Sequence, residues 1–342
     1  MDNQLRILNV SKASPGEHKW FDGKLPPELG ARFVHCYGGP ANDIERRVKR
    51  PNLALHRGCA QAAFHIARGA ADVVVSHLPV CTKWTEFYLA GLKRKVPHIA
   101  FAFNQDPMPT GLQKQFAERL YRRVDRFVVY STAEQKLYSQ SFGIPLERIE
   151  MIHWGVVPPE VDPEAPRQVE GDYITSIGRT GRNYRDFMAA MHKLPDVRAV
   201  VVAAPENMVG IDVPPNVEVR TNVPFPDTLN ILYHSRFMVL PLHPSDIPYG
   251  HGTAVLGMHL RRPVVVTAGE ALTDYVQEGK TGMMFPAGDV DALADRIRTL
   301  MDDQALNDRL ADTAYEFAHA YCTEEATLRR VIPLLRDTRL AS

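Results

Sequence analysis

Three arginines fall within twelve residues, SIGRTGRNYRDF (176–187), as Arg179, Arg182 and Arg185. Guanidinium forks grip phosphate oxygens bidentately and stay charged at any working pH. Arg179 and Arg185, six residues apart around a glycine turn with Arg182 between them, therefore suit a clamp on a diphosphate. The alternative is an exposed first helical turn, where cations oppose the macrodipole unless an anion is present. A second phosphate-type segment is HPSDIPYGHGTAVLGMHLRRPVVVT (243–267). Gly250 and Gly252 let backbone approach a ligand closely, and a helix from about Thr253 would aim its free N–H groups at an anion. Gly250, His251, Gly252 and Thr253 are thus a second half-site for the same pyrophosphate. The DVD triplet at 289–291 has the spacing of a metal-binding Asp-x-Asp. It opens an amphipathic stretch with Ala292, Leu293 and Ile297 apolar, so Asp289 reads as a helix N-cap and no metal is expected.

The elements that must hold these residues have a two-fold pattern. Apolar, β-branched runs recur at 5–11, 72–78, 98–103, 126–131 and 149–154, with helical stretches such as 53–67 and 111–124 between them. Runs of this kind suit strands buried on both faces. After a proline-rich linker, VVPPEVDPEAP (156–166), the pattern restarts with 173–178, 198–203, 217–223, 237–242 and 263–267, and three helical segments close the chain at 289–301, 304–320 and 323 to about 338. Strand alternating with helix predicts an α/β fold with parallel sheets. The expected organisation is a first Rossmann-like domain over 1–158, a second over 159–322, and a C-terminal helix over 323–342 that crosses back to the first. Ligands of such sheets sit beyond the carboxyl ends of the strands, so the two domains are expected to face each other across a cleft.

With 342 residues, 45% of them apolar, the chain can bury a sizeable core, and its net charge is zero, which argues against a dedicated nucleic-acid binder. The charge is unevenly spread. Residues 1–160 carry 22 Lys and Arg against 15 Asp and Glu, while 161–342 carry 18 against 25. The basic residues cluster as Arg46, Arg47, Lys49 and Arg50; as Lys93, Arg94 and Lys95; and as Arg119, Arg122 and Arg123 near Lys114. These clusters read either as a solvated face or as a footing on an anionic membrane, where each cation near lipid is worth about 1 kcal/mol. Trp84, Phe87, Tyr88 and Leu89, just ahead of Lys93, would suit an interface. No apolar run approaches a membrane span and MDNQLRILNV lacks a signal-peptide layout. Cys36, Cys59, Cys81 and Cys322 show no CxxC spacing, which indicates neither disulfides nor zinc and fits a reduced cytoplasm.

In motif order the chain resembles the GT-B glycosyltransferases, in particular the group 1 (family 4-like) set. YRRVDRFVVYSTAEQKLYSQSFGIPLERIEMIHWGV resembles that family's end-of-first-domain signature, SIGRTGRNYRDF its Gly-Arg loop, and RRPVVVTAGEALTDYVQEGKTGMMFPAGD its segment from the Pro-Val-Val strand to the Pro-x-Gly-Asp turn. The resemblance implies that Arg179 and Arg185 hold the donor diphosphate. Many members place two glutamates eight positions apart before that strand, whereas this chain has Pro248 and Leu256 there and a Gly-x-x-Thr turn, Gly250 to Thr253. Asp246 or Glu270 is the candidate for the missing polar contact.

The resemblance further implies a nucleotide-diphosphate sugar as substrate, UDP-glucose or UDP-glucuronate, with no cofactor. Acceptor-side groups are expected after the strands of the first half: Lys12, His18, Lys19 and Asp22, then His77, then Asn104 and Asp106. His77 is the first choice near the reacting carbon, with Asp22 and Asp106 orienting or deprotonating an acceptor hydroxyl. The basic first half, with Lys93, Arg94, Lys95, Arg119, Arg122 and Arg123, points to a lipid acceptor such as diacylglycerol and to a cytoplasmic protein peripheral on the inner face of the cell membrane. Polyprenyl-linked or soluble saccharide is the alternative acceptor. A silent nucleotide-sugar-binding subunit and a nucleotide-sugar 2-epimerase are the alternative functions.

Overall fold

A computed structural model describes residues 4–15, 17, 20–47, 52–244 and 249–340, with side chains to 337. The chain divides into two compact units, the first comprising residues 1–152 with 328–342 and the second residues 153–327.

In the first unit β1 (Arg6–Ser11), β2 (Arg32–Tyr37), β3 (Val73–His77), β4 (His98–Phe101), β5 (Arg126–Val129) and β6 (Ile149–Met151) form one parallel sheet in the order β2-β1-β3-β4-β5-β6. The connecting helices are α1 (Asp43–Arg47), α2 (Leu53–Ala67), α3 (Leu78–Gly91), α4 (Gly111–Tyr121) and α5 (Thr132–Phe142). Alternation along the strands sends residues to opposite faces. Leu8, Val10 and Val74 pack with Leu55, Cys59 and Leu89 of α2 and α3, while Ile7, Val73 and Val75 pack with Val331, Leu334 and Leu335. Both faces are therefore dry, which is why these strands read as continuous apolar runs. Entry into α5 is fixed by a capping box: Ser131 Oγ accepts from Glu134 N at 3.1 Å, and Glu134 Oε2 accepts from Tyr130 N at 3.0 Å. All four cysteines are buried and free.

In the second unit β7 (Ile174–Gly178), β8 (Ala199–Ala203), β9 (Val217–Thr221), β10 (Met238–Leu240), β11 (Val264–Thr267) and β12 (Met283–Phe285) form a second parallel sheet, ordered β12-β11-β10-β7-β8-β9. Around it lie α6 (Tyr184–His192), α7 (Phe225–His234), α8 (His251–His259), α9 (Val290–Asp302) and α10 (Gln304–Tyr321). Asp289 caps α9, accepting from Ala292 N at 2.9 Å, as its place before an apolar-periodic stretch predicts. The last helix, α11 (Glu324–Leu340), begins in the second unit and belongs to the first from Leu328 onward.

The two six-stranded parallel sheets match the expected α/β class. The edge strands β2 and β12 are additions to the sequence reading. RFVHCY has an exposed-to-intermediate pattern with one buried residue, and MMF has only three residues, so neither presents the unbroken apolar run that marks an inner strand. Among the described residues no helix is long and apolar enough to cross a membrane.

Candidate functional site

The strand order of the second sheet reverses between β7 and β10, and the carboxyl ends of these neighbours form its topological switch point, where doubly wound sheets bind ligands. Two loops meet there. His243 N donates to Gly181 O at 3.0 Å, Asn183 N donates to Pro241 O at 2.9 Å, and Arg182 and Leu242 form an isolated antiparallel bridge. The Arg182 side chain is folded back under this junction, 7% exposed. It donates to Ile177 O (3.0 Å), Thr180 O (2.8 Å) and Thr253 Oγ1 (2.9 Å), tying the loop to the first turn of α8. Gly178 makes this possible, since at φ +139° a Cβ there would stand 2.3 Å from the guanidinium nitrogens. No carboxylate pairs with Arg182 among the described residues, and burial holds its pKa below the ordinary arginine value. A buried cation without a counter-ion is costly, and an anionic ligand would offset that cost.

Gly250 caps α8 in the left-handed region at φ 86°, where a Cβ would press on Leu240 at 2.9 Å. The amino end of the helix, with its unsatisfied N–H groups, thus opens on the same edge. His251 is buried, stacked on Tyr275 at 5.7 Å and inclined to Trp154 at 5.2 Å. Burial, reinforced by the charge of Arg182, pushes its pKa down to about 4, so it is a neutral ring beside a cation. Gly252, Thr253 and Leu256 line a largely apolar groove of about 810 Å³, closed by Phe225 and Leu229 of α7 and by the 154–160 segment.

The remaining donor-side candidates take distinct positions. Arg179 is exposed at the loop tip and pairs with Glu206 at 3.3 Å. Arg185 is exposed in the first turn of α6, which Asn183 caps. Glu270 opens a short 3-10 turn after β11, exposed on the same carboxyl edge. Asp246 and Pro248 lie outside the described residues. Arg182 corrects the sequence reading: placed there merely between two clamp residues, it is the buried member of the set. The flanking Gly178 and Gly181 were the available signal, because a glycine on either side lets a side chain fold back against its own loop.

In the first sheet the order reverses at β1, between β2 and β3, and the carboxyl ends of β1 and β3 carry Ser11 and His77. His77 Nε2 donates to Asn9 Oδ1 at 2.7 Å, Asn9 Nδ2 donates to His35 Nδ1 at 3.1 Å, and His35 Nε2 donates to Asp22 Oδ2 at 3.0 Å. The string orients both rings and ties His77 through Nε2 to the carboxylate of Asp22. The ring is 7% exposed, packed edge-to-face on Trp20 (5.6 Å) and Phe101 (5.5 Å). Two separately chosen candidates, Asp22 and His77, are therefore joined, through Asn9 and His35, which the sequence did not single out. Asp106 is exposed on the loop after β4 and takes no place in this string. His18 and Lys19 lie outside the described residues.

The basic clusters divide. Arg123 Nε donates to the buried Glu86 at 2.6 Å, and Lys95 pairs with Asp125 at 2.7 Å, so these two are committed within the fold. Lys93, Arg94, Arg119 and Arg122 are exposed. Leu89 is fully buried and leaves the interface reading. Its neighbours remain: Trp84, Phe87 and Phe116 form an aromatic cluster with centroids 5.4–6.1 Å apart, beside Leu112 (81% exposed) and Leu92 (49%). Arg46 and Arg47 are exposed on α1, and Lys49 and Arg50 lie outside the described residues.

Comparison with known proteins gives two family matches that together span well over half of the chain: "Glycosyltransferase Family 4" over residues 23–158 and "Glycosyl transferases group 1" over residues 171–303. No curated protein matches the sequence. Among solved structures the chain is similar to a glycosyltransferase from Rickettsia africae (14% identity, 98% of this chain and 99% of that one, TM-score 0.73). It is also similar to Anabaena HepE in complex with UDP-glucose (14%, 97% and 100%, TM-score 0.71) and to the lipopolysaccharide outer core galactosyltransferase WaaB (11%, 98% and 99%, TM-score 0.68). At these identities the structures speak to the fold, which is the GT-B architecture. With a family 4 domain in its first half and a group 1 domain in its second, the chain belongs to the GT-B glycosyltransferases.

Proposed function

We propose that the enzyme moves a hexose or hexuronic acid from a uridine diphosphate sugar, UDP-glucose or UDP-glucuronate, to a membrane lipid such as diacylglycerol, without a metal or other cofactor. The observation that carries the donor side is the buried Arg182 at the switch point, without a carboxylate partner among the described residues, next to the amino end of α8. In this reading Arg179, Arg185 and the N–H groups near Gly252 take the diphosphate, and Arg182 and Gly250 hold those groups in place. Charge growing on the leaving phosphate meets donors already aimed at it, which is electrostatic stabilisation. The nucleoside takes the apolar groove beside Thr253 and Leu256, and Asp246 or Glu270 supplies the polar contact to the donor that the absent glutamates would make. UDP and UDP-glucose bound to Anabaena HepE support the choice of nucleotide.

On the acceptor side, His77 approaches the reacting sugar with its ring oriented by the string ending at Asp22. The lipid reading rests on the exposed aromatic cluster of α3 and α4 beside Lys93, Arg94 and Arg119, a composition that favours the interface of an anionic membrane and would place the enzyme on the cytoplasmic face. Leu256, where an acid is common, favours a second reading as a nucleotide-sugar-binding subunit without turnover.

The test is incubation with radiolabelled UDP-glucose and diacylglycerol-containing lipids, then organic extraction. Label in the organic phase with wild type and none with Arg179→Ala is expected. UDP-glucose binding with label in no lipid would instead favour a saccharide acceptor or the silent subunit.

A further inference from the structure

At the opposite, amino edge of the second sheet lies a separate polar cavity of about 320 Å³. Arg236 precedes β10 there, Arg261 and Arg262 precede β11, and Arg167 comes from the chain leading into β7. Of these four cations Arg261 is paired with Asp312 and Arg236 lies 3.9 Å from Asp172, which leaves Arg167 and Arg262 without an ion pair among the described residues. The wall is completed by the carboxyl end of α7 and the first turns of α10.

Three polar atoms of this lining are buried and have no hydrogen-bond partner: Arg262 Nε, Asn307 Nδ2 and His234 Nε2. Asn307 is 4% exposed. Buried donors are nearly always answered, and each exception calls for an explanation. Here the unanswered groups belong to three residues that line one cavity, and each can donate. Arg236 is braced by Gln304 Oε1 at 2.7 Å, and the Arg262 guanidinium lies over Tyr233 at 5.4 Å, so two of the cations are pre-positioned. Burial first, then the charges of Arg167 and Arg262 against that of Glu170, lower the pKa of His234.

We infer that this cavity is a second ligand site, binding a small phosphate monoester through Arg262, Asn307 and His234, with Arg167 and Arg236 at its mouth. Phosphate oxygens match the demand because they accept from several donors at once and carry the charge that guanidinium forks select. The volume suits a compact sugar phosphate, near the lower bound of small-molecule sites. The site lies on the opposite sheet edge from Gly178 and the amino end of α8 and does not depend on the donor reading.

Thermal unfolding and calorimetric titration of the full chain, with inorganic phosphate and glucose 6-phosphate as probes and UDP saturating, test the inference. Expected is a rise of a few degrees in the unfolding midpoint that persists in Arg179→Ala. The dissociation constant should weaken at least tenfold in Arg262→Gln and severalfold in the surface variant Arg167→Ala, which leaves the core untouched. Absence of any shift at millimolar probe, or a shift abolished by Arg179→Ala and untouched by Arg167→Ala and Arg262→Gln, would overturn it.

Discussion

The two sheets end in switch points of opposite character. That of the second unit is cationic: Arg182 is buried without a carboxylate partner among the described residues, Arg179 and Arg185 are on the same loop and helix start, and the amino end of a helix adds its N–H groups. That of the first unit is a string of two imidazoles and an amide running from His77 to a carboxylate, Asp22. One edge suits a fixed negative charge, the other the orientation of a hydroxyl or the handling of a proton. The same parallel architecture thus serves two tasks through the side chains and loops at its carboxyl strand ends, and the tasks should separate when each edge is altered alone.

The largest separation is expected from Arg182→Met. UDP binding should weaken at least 100-fold, since losing a buried charged hydrogen-bonding group costs about 2–5 kcal/mol. The unfolding midpoint without ligand should fall only slightly, because an uncompensated buried cation also costs stability. Calorimetry and thermal melts on the same preparation read both. Next, His77→Ala should lower transfer by about 100-fold, a typical general acid–base contribution, while UDP affinity stays within about twofold. Asn9→Ala should reproduce part of that loss and shift the pH profile of transfer, which a purely structural role would not do. Gly178→Ala should destabilise the fold by about 2 kcal/mol, because a Cβ would meet the Arg182 guanidinium at 2.3 Å in a strained backbone region.

The smallest effect concerns a group outside both edges. Burial, only partly offset by hydrogen bonds from Tyr130, Ser131 and Tyr138, raises the pKa of Glu134 from 4.5 to about 7. The folded state therefore keeps a proton that the unfolded chain has lost between these values. This contribution to stability is full below about pH 4.5 and disappears as pH rises through about 7. Between pH 6 and 8 wild type should lose on the order of 1–2 kcal/mol relative to Glu134→Gln in denaturant titrations.

The inner strands were legible in the sequence because burial on both faces writes an uninterrupted β-branched run, as in VVVSH and AVVVA. The N-cap at Asp289 and the glycine that opens α8, Gly250, were legible for equally local reasons, although the helix begins at His251, two residues ahead of the expected Thr253. The features that escaped were long-range. His35 sits on β2, an edge strand without such a run, and its value lies in reaching Asn9, 26 positions away, and Asp22. Arg182 resembles one more helix-start cation because nothing in its neighbours reveals Thr253, 71 positions on. The basic clusters mislead in the same way. Glu86 and Asp125, which claim Arg123 and Lys95, are acids that a count of nearby cations passes over.

The division of labour is tested most directly by measuring UDP-glucose affinity and sugar transfer in parallel for wild type, Arg179→Ala and His77→Ala. The account predicts that Arg179→Ala loses both, while His77→Ala keeps the affinity and loses the transfer. Loss of UDP-glucose binding in His77→Ala, with Arg179→Ala binding normally, would contradict it.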